Sequence, residues 1–315
     1  MGTVLEAISN SQSWYLSKGK LQEPREPSPW PEEFVCSNKF SIGLSLCYRK
    51  TSANRSDMQR LYDMHVHINK PGNAARLLCS ARNAKISLLV MTCSVDEYLR
   101  LLPQFEAVPP DGESMLALGL HPWRIACEQD IQAEITRFEQ LACDADAFGE
   151  LGLDFHNRHT DMASHAQQLK IFERACTAAA TSAKSAGKRK PLSLHTLKAA
   201  DETLDILERT HCLEYCACIL HWFSGSVPQL ERAHEAGCWF SFNDRQLKTG
   251  KGREYAKLIP PDRLLLETDL PTHDNDSVTA DAIATSLKRT LALLEDILRC
   301  SPREQIAKNA HSLLF

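Results

Sequence analysis

Six titratable side chains stand at the ends of short apolar runs, and their types suit metal chemistry. They are four histidines and two carboxylates: His65, His67, Glu150, His195, His221 and Asp269. Because side chains alternate across a strand, His65 and His67 should project from one face of the first run. Imidazole together with carboxylate suits Zn, Mn, Fe or Co, whereas Mg is tolerated with more oxygen and water ligands. The set predicts a metal centre, provided that the fold brings its members together.

Each of these residues also has an ordinary structural explanation. Glu150 could pair with an arginine, Asp269 could cap the next helix, and a histidine at a strand end could be a satisfied core residue. Metal binding explains all six together, because burying so many titratable groups without a cation would cost several kcal/mol apiece. Six ligands exceed the need of one catalytic metal. Two metals about 3.5–4 Å apart, bridged by a carboxylate, are the arrangement of dinuclear hydrolases.

The elements that must position these residues recur with a regular rhythm from Leu61 onward. Short apolar runs rich in strand-forming residues alternate with amphipathic stretches such as 130–141, 163–180, 199–209 and 279–298. The apolar runs are 61–67, 86–91, 115–120, 147–151, 191–195, 216–221, 238–242 and 263–268. Strands that alternate with helices imply βαβ units, and such crossovers require a parallel sheet.

Eight such units in about 255 residues predict an α/β fold, a (β/α)8 TIM barrel whose active site lies at the C-terminal ends of its strands. A doubly wound open sheet is the alternative. It would normally carry a Gly-rich phosphate loop after the first strand, where His65-Val66-His67 stands instead. The last helix is predicted to open with a capping box, with Ser301 as N-cap and Pro302 at the first helical position.

Residues 1–60 differ from the rest of the chain. Four prolines fall within eight positions: Pro24, Pro27, Pro29 and Pro31. This spacing favours an extended polyproline II conformation and excludes a helix there. We therefore expect a poorly ordered, Pro-rich extension over 1–60 and a catalytic domain over 61–315, and the extension could recruit a protein partner.

The composition is that of an ordinary globular protein. Of 315 residues, 43% are hydrophobic and 24% charged, which excludes wholesale disorder, collagen-like repeats and coiled coil. A net charge of −4 gives no global reason to expect a polyanion partner, although a local basic rim could still bind phosphates. No apolar run reaches the length of a membrane span, and the 12 cysteines contain no CxxC pair. With no signal peptide apparent, we expect a cytoplasmic protein with reduced thiols and no membrane association.

Six segments carry a resemblance to a known family. They are DMHVH (63–67), GLHPW (119–123), GELGLDF (149–155), PLSLH (191–195), HWFSGS (221–226) and ETDLP (267–271). In this order they resemble the successive motifs of TatD-family metal-dependent deoxyribonucleases, over about residues 61–315. The resemblance implies a barrel of the metal-dependent hydrolase type. It also implies cleavage of DNA phosphodiester bonds, in the manner of a 3′–5′ exonuclease on single strands, with two divalent metal ions (Mg²⁺, Mn²⁺ or Zn²⁺).

The resemblance further implies two metal positions that share one bridging carboxylate. The first metal would have three ligands: His65, His67 and Asp269. The second would have two of its own: His195 and His221. Glu150 would bridge the two ions, and Asp63 would orient a ligand from outside the metal shell.

The remaining catalytic roles also come from the resemblance. Asp269 would be the base that orients or deprotonates the attacking water. His121 in GLHPW would stand near the scissile phosphate. The alternative for His121 is a structural histidine oriented by the following Pro122.

Departures from the family pattern affect substrate binding. The family often has H-x-R where this chain has His195-Thr196-Leu197, so one expected guanidinium is absent. Trp222 replaces a usually smaller residue, and it either packs or stacks on a base. A replacement for the missing positive charge follows the seventh run: Arg245, Lys248, Lys251 and Arg253. The alternative for this basic segment is a solvated helix face.

Two other functions remain open at this point. A related metal-dependent deacylase or esterase, such as a D-aminoacyl-tRNA deacylase, would use the same ligands, and the missing arginine at position 197 favours it slightly. A partner or scaffold protein that keeps only the barrel is the third candidate, but all six ligand positions are intact.

Overall fold

The computed structural model describes residues 60–68, 70–108, 114–127, 130–156, 162–272 and 277–315. Within them, eight parallel strands follow one another around a single sheet in sequence order. The strands are β1 (Leu61–His67), β2 (Ile86–Met91), β3 (Met115–Leu118), β4 (Ala147–Asp154), β5 (Lys190–Leu197), β6 (Cys216–His221), β7 (Trp239–Phe242) and β8 (Leu264–Leu266). The predicted (β/α)8 barrel is confirmed, and the doubly wound alternative is wrong. Residues 1–59, and with them nearly all of the predicted extension, lie outside the described residues.

The sheet is nearly closed, because β1 meets the segment that follows β8. The Asp269 N–H donates to the His65 carbonyl at 2.9 Å, and the His67 N–H donates to the Leu270 carbonyl at 2.8 Å. The Asp63 carboxylate accepts from the Thr268 N–H at 2.9 Å and from the Thr268 hydroxyl at 2.6 Å. Two of the predicted ligands, His65 and Asp269, are therefore joined through the backbone.

Helices connect the strands and cover the barrel. Within the described residues they are α1 (Ala74–Asn83), α2 (Val95–Ala107), α3 (Pro122–Cys127), α4 (Ile131–Leu141), α5 (Met162–Ala186), α6 (Ala200–Arg209), α7 (Cys212–Tyr215), α8 (Val227–Glu235), α9 (Asp244–Leu247), α10 (Gly250–Leu258), α11 (Ala280–Leu298) and α12 (Arg303–Leu314). Side-chain caps start several of them. Asp130 accepts from the Ala133 N–H at the start of α4, and Thr279 accepts from the Ala282 N–H at the start of α11. No described helix combines the length and apolarity needed to cross a membrane.

The predicted capping box at the last helix is wrong. The N-cap of α12 is Pro302, and no side chain caps the helix. The Ser301 hydroxyl, one residue before this N-cap, donates to the Glu295 carboxylate in the last turn of α11 at 2.6 Å. A capping box does form at α8, where Ser226 and Gln229 satisfy each other's backbone N–H groups.

The barrel has an inner and an outer apolar layer. Tyr62, Met64 and Met91 belong to the inner layer, which α12 closes with Ala310 and Leu314. The outer layer lies between strands and helices: it includes Val66, Phe148, Leu151, Leu192 and Leu220. The inner layer fills the barrel below the strand ends, so the polar cluster at those ends rests on a packed floor.

Candidate metal centre

Two ligand-bearing strands shift register immediately before their ligands. In β1, Tyr62 and Met64 face the interior, and strict alternation would turn His65 and His67 outward. The pairing of β1 with β2 shifts between Asp63 and Val66, so that Val66 faces outward and both histidines face inward. Such an irregularity re-aims side chains. His65 and His67 share a face because they are two residues apart, and the register shift turns that face toward the barrel mouth.

The same device positions the predicted bridge on β4. Ala147 belongs to the inner layer and Phe148 to the outer layer, and the pairing with β5 shifts between Phe148 and Leu151. Glu150 therefore faces the interior with 3% exposure. Gly149 adopts a φ of +139°, a region that L side chains rarely enter, and a Cβ there would lie 2.7 Å from the Met91 sulfur.

Each carboxylate oxygen of Glu150 faces a separate group of histidines. Oε2 lies 3.4 Å from His65 Nε2 and 3.3 Å from His67 Nε2. Asp269 Oδ1 lies on the same side, 4.0 Å and 3.9 Å from these two nitrogens. The three residues predicted to hold one metal are thus together at one end of the carboxylate.

The other oxygen, Oε1, faces the remaining histidines. It lies 2.9 Å from His195 Nδ1, 3.2 Å from His221 Nε2 and 3.4 Å from His121 Nε2. The backbone two residues before His121 lies very close to β2, which only glycine allows. A Cβ at Gly119 would lie 1.8 Å from the Thr92 carbonyl oxygen. All seven residues predicted to act as ligands or in catalysis therefore meet in one cluster.

The donor set fits divalent cations. His65 Nε2 and His67 Nε2 stand only 3.2 Å apart, and the His65 and His221 rings stack at 3.8 Å, so positive charges on neighbouring rings would repel one another. Burial lowers the pKa of His65 to about 3. Burial alone would raise the pKa of Glu150, but the facing histidines hold it well below its usual range. Burial also acts to lower the pKa of His67 and His221, but Cys93 and Glu150 beside His67, and Glu267 and Glu150 beside His221, outweigh it and raise both pKa values well above the usual range. Metal ligation requires neutral imidazole and ionised carboxylate, so a bound cation would take the place of these protons.

Three overlapping groups of residues have ligand atoms close enough to share an ion. They are His65 with His221 and Asp269, His65 with His67 and Glu150, and His121 with Glu150 and His195. The overlap at Glu150 and His65 shows that the cluster is continuous. It defines a site for divalent metal.

Most of the histidines have a second partner that orients the ring. His65 Nδ1 contacts the Ser193 hydroxyl at 2.8 Å, and His195 Nε2 lies 3.3 Å from Asp154 Oδ2. His221 Nδ1 faces Glu267 Oε2 at 3.4 Å, in an electrostatic contact without hydrogen-bond geometry. Sequence reasoning assigned no role to these partners. A signal existed for Asp154, since it stands four residues after Glu150 on the same face of β4.

Asp269 and Trp222 both stand in strained backbone at strand ends. Asp269 has a φ of +50°, and Trp222 has a φ of +39°. A positive φ is rare for a residue as bulky as tryptophan. Arg245 joins the two, because its Nη2 donates to Asp269 Oδ2 at 3.0 Å while its guanidinium lies 4.5 Å from the centre of the Trp222 ring. Of the predicted substrate-binding residues, Arg245 and Trp222 thus border the cluster.

The other three basic residues of the predicted set contact partners outside the cluster. They donate as follows: Lys248 to Asp244, Lys251 to the Ser224 carbonyl, and Arg253 to Asp296. The Arg253–Asp296 pair is exposed and contributes little free energy, so a phosphate could displace it, whereas the carboxylate that holds Lys248 is buried. Their role in substrate binding stays a prediction.

Asp63→Ala should weaken metal binding without removing a proposed ligand. Asp63 is fully buried, which raises its pKa to about 7 although Thr268 donates to it twice. Losing these bonds frees the backbone at Asp269, and loss of such outer partners typically lowers metal affinity about 10–100-fold. Calorimetric titration with Mn²⁺ measures the change. Asp63→Asn keeps one acceptor for the Thr268 N–H and should lose less. Unchanged affinity in Asp63→Ala would mean that other contacts hold Thr268.

A nearly closed (β/α)8 barrel with a histidine and carboxylate cluster at the C-terminal strand ends defines the class of metal-dependent barrel hydrolases. The family described as TatD related DNase matches residues 62–314. The chain belongs to this family.

The chain shares a quarter to a third of its residues with individual curated relatives over the aligned regions. The chain is 25% identical to "Deoxyribonuclease Tat-D" of Schizosaccharomyces pombe over 66% of each protein. It is 34% identical to "3'-5' ssDNA/RNA exonuclease TatD" of Erwinia tasmaniensis over 40% of the chain and 46% of the relative. The chain thus aligns with less than two thirds of either curated relative. The crystal structure of YJJV, the TatD homolog of Escherichia coli K12, superposes with a TM-score of 0.64 at 22% identity and covers 81% of this chain and 98% of that one.

Proposed function

We propose that this chain is a metal-dependent phosphodiesterase that cleaves DNA and trims single strands from the 3′ end with two divalent ions. The observation that carries the proposal is the geometry of Glu150, whose two oxygens face separate groups of ligands. This is what a carboxylate bridge between two ions requires. Membership in the DNase family and the exonuclease name of the Erwinia relative support the choice of substrate.

In this proposal the chain holds two ions in the positions implied by its ligands. The ligands of the first are His65, His67 and Asp269, and those of the second are His195 and His221, with Glu150 shared. When bound, the ions would supply Lewis acidity toward the phosphate and lower the pKa of a bound water. Mg²⁺, Mn²⁺ and Zn²⁺ can all supply this chemistry.

The chain's own residues supply the proton transfers. The two carboxylate oxygens of Asp269 have different partners: Oδ2 accepts from Arg245, and Oδ1 faces His65 and His67. We assign Oδ1 as the base that takes a proton from the attacking water. Arg245 also donates to the Asp269 carbonyl at 3.0 Å, so both the backbone and the side chain of Asp269 are held in the position that the assignment requires.

His121 is assigned to the scissile phosphate as a hydrogen-bond donor. Its Nδ1 accepts from the Trp123 N–H at 3.2 Å, so the proton of a neutral ring resides on Nε2. Nε2 points toward Glu150 Oε1, into the cluster. A ring fixed in this tautomer donates to a phosphate oxygen more readily than it ligates a metal through the same atom.

The basic residues after β7 are proposed to contact the phosphates of the substrate. Replacing Lys248, Lys251 and Arg253 together by alanine should then flatten the dependence of DNA affinity on salt, by about 0.7 in log–log slope for each lost single-strand contact. Binding of a labelled single strand at four salt concentrations measures the slope. Lys188→Ala is the control, since Lys188 pairs with Asp146 and precedes β5 at the opposite end of the barrel. A triple variant with the wild-type slope would return the segment to a solvated helix face.

The proposed activity is tested with end-labelled single- and double-stranded DNA, with and without a chelator, in the presence of Mg²⁺ or Mn²⁺. We expect stepwise shortening of single strands from the 3′ end that the chelator abolishes. Hydrolysis of an aminoacyl ester without any cleavage of DNA would favour the deacylase alternative instead.

The organisation of the whole chain is also part of the proposal. Residues 1–60 are assigned to an extension, and 61–315 to the catalytic domain. The described cysteines are free thiols, which supports a reducing compartment such as the cytoplasm.

A further inference from the structure

An exposed aromatic ring, Trp123, borders the metal cluster on the side of Glu150 Oε1. It lies in α3 directly after β3, and 44% of it is exposed. Its ring centre is 4.9 Å from that of His121 and 6.2 Å from that of His195, both in edge-on orientation. A large aromatic surface therefore remains accessible to solvent beside the ligands proposed for the second metal.

The plane of this ring is fixed by a buried carboxylate. Trp123 Nε1 donates to Asp154 Oδ2 at 2.6 Å, and the same oxygen lies 3.3 Å from His195 Nε2. Asp154 is held in turn by Gln168, whose side chain accepts from the Asp154 N–H at 2.8 Å and donates to its carbonyl at 3.1 Å. One oxygen thus sets the orientation of both a proposed metal ligand and the exposed indole. A rigid ring loses little entropy when a ligand packs on it.

The other tryptophan near the cluster is differently placed. The guanidinium of Arg245 lies over the ring of Trp222 at 4.5 Å and covers one of its faces. Trp222 was the residue expected from the sequence to stack on a base if it did not pack. The geometry points instead to Trp123, which is the more exposed of the two and whose Nε1 is already bonded to protein.

We propose that Trp123 stacks on the base of a nucleotide adjacent to the scissile phosphate, and that this contact favours unpaired ends. The inference rests on the proposed function, because a phosphate held at the cluster would bring its sugar and base to the border of the cluster, where the Trp123 ring lies. Stacking on an aromatic side chain tolerates any sequence, since every base has a π-face. A base in a duplex must first leave its neighbours, which costs least where it is already unpaired.

The test compares single-stranded oligonucleotides that carry either a normal or an abasic nucleotide on each side of the scissile bond. Wild-type protein should cleave the normal strand with a kcat/KM about 5- to 100-fold above that of one of the two abasic strands, the range that base–aromatic stacking provides. Trp123→Ala should remove this ratio and cleave both strands at the wild-type abasic rate. Trp123→Phe keeps a ring but loses the bond to Asp154, and it should retain part of the ratio.

Phe315→Ala is the matched control, because Phe315 is equally exposed at 44% and is the last residue, after α12. It should keep the wild-type ratio. If Trp123→Ala slows both strands in equal proportion, its role is only to position His195 through Asp154, and the stacking inference is overturned. If wild-type protein cleaves both abasic strands as fast as the normal strand, Trp123 contacts no base and the inference is overturned. If wild-type protein cleaves no strand at all, the proposed function fails first, and the inference fails with it.

Discussion

Glu150→Ala should lose bound metal and, with it, on the order of 10⁴-fold in DNA cleavage, because the charge stabilisation supplied by metal is worth several kcal/mol. The structure places five histidines around this one carboxylate, with nitrogens 2.9–3.4 Å from its oxygens. No other carboxylate among the described residues faces both histidine groups in this way. Elemental analysis after dialysis gives the metal content, and cleavage of a labelled single strand gives the rate.

Glu150→Gln separates the charge of this residue from its shape. The amide keeps one oxygen and nearly the same volume, so the barrel should stay folded, and thermal unfolding checks this. One oxygen can still serve one ion, so Glu150→Gln should retain more metal than Glu150→Ala. An active Glu150→Ala protein with two bound metals would eliminate the bridge and the dinuclear mechanism.

The sequence indicated which residues would cluster because the active sites of (β/α)8 barrels lie at the C-terminal ends of the strands. All eight apolar runs became strands, and the polar residues that ended them met at the barrel mouth. Simple alternation does not explain why they face inward, however. Met64 and His65 both point into the barrel, which only the register shift in β1 allows. Pairing with a neighbouring strand determines such a shift, and periodicity within one segment does not reveal it.

The partners of the ligands were harder to predict than the ligands. Asp154 contacts Trp123 and His195, which are 31 and 41 residues away, and Arg253 pairs with Asp296, 43 residues away. These contacts depend on which helices and strands pack side by side, so no local pattern indicates them. The capping box expected at Ser301 failed for a local reason, since α12 has Pro302 and not Ser301 at its N-cap.

Asp269→Asn should keep DNA binding and at least one metal but lower turnover by about 10²–10⁴, the usual contribution of a positioned general base. Asparagine is the right replacement on structural grounds. Asp269 has a φ of +50°, and asparagine tolerates this left-handed region as well as aspartate does. The Asp269 N–H donates to the His65 carbonyl and its own carbonyl accepts from Arg245, and both bonds survive the change.

A comparison with Arg245→Ala distinguishes the two oxygens of Asp269. Arg245 is a predicted substrate-binding residue at the border of the cluster, and the Asp269 backbone stays bonded to His65 without it, so removing Arg245 should raise KM for DNA more than it lowers kcat. Asp269→Asn should do the reverse, with KM near the wild-type value and a loss confined to kcat. Near-normal turnover in Asp269→Asn would eliminate the proposed base. Loss of all metal in that variant would make Asp269 an indispensable ligand, and the base would then have to be sought elsewhere in the cluster.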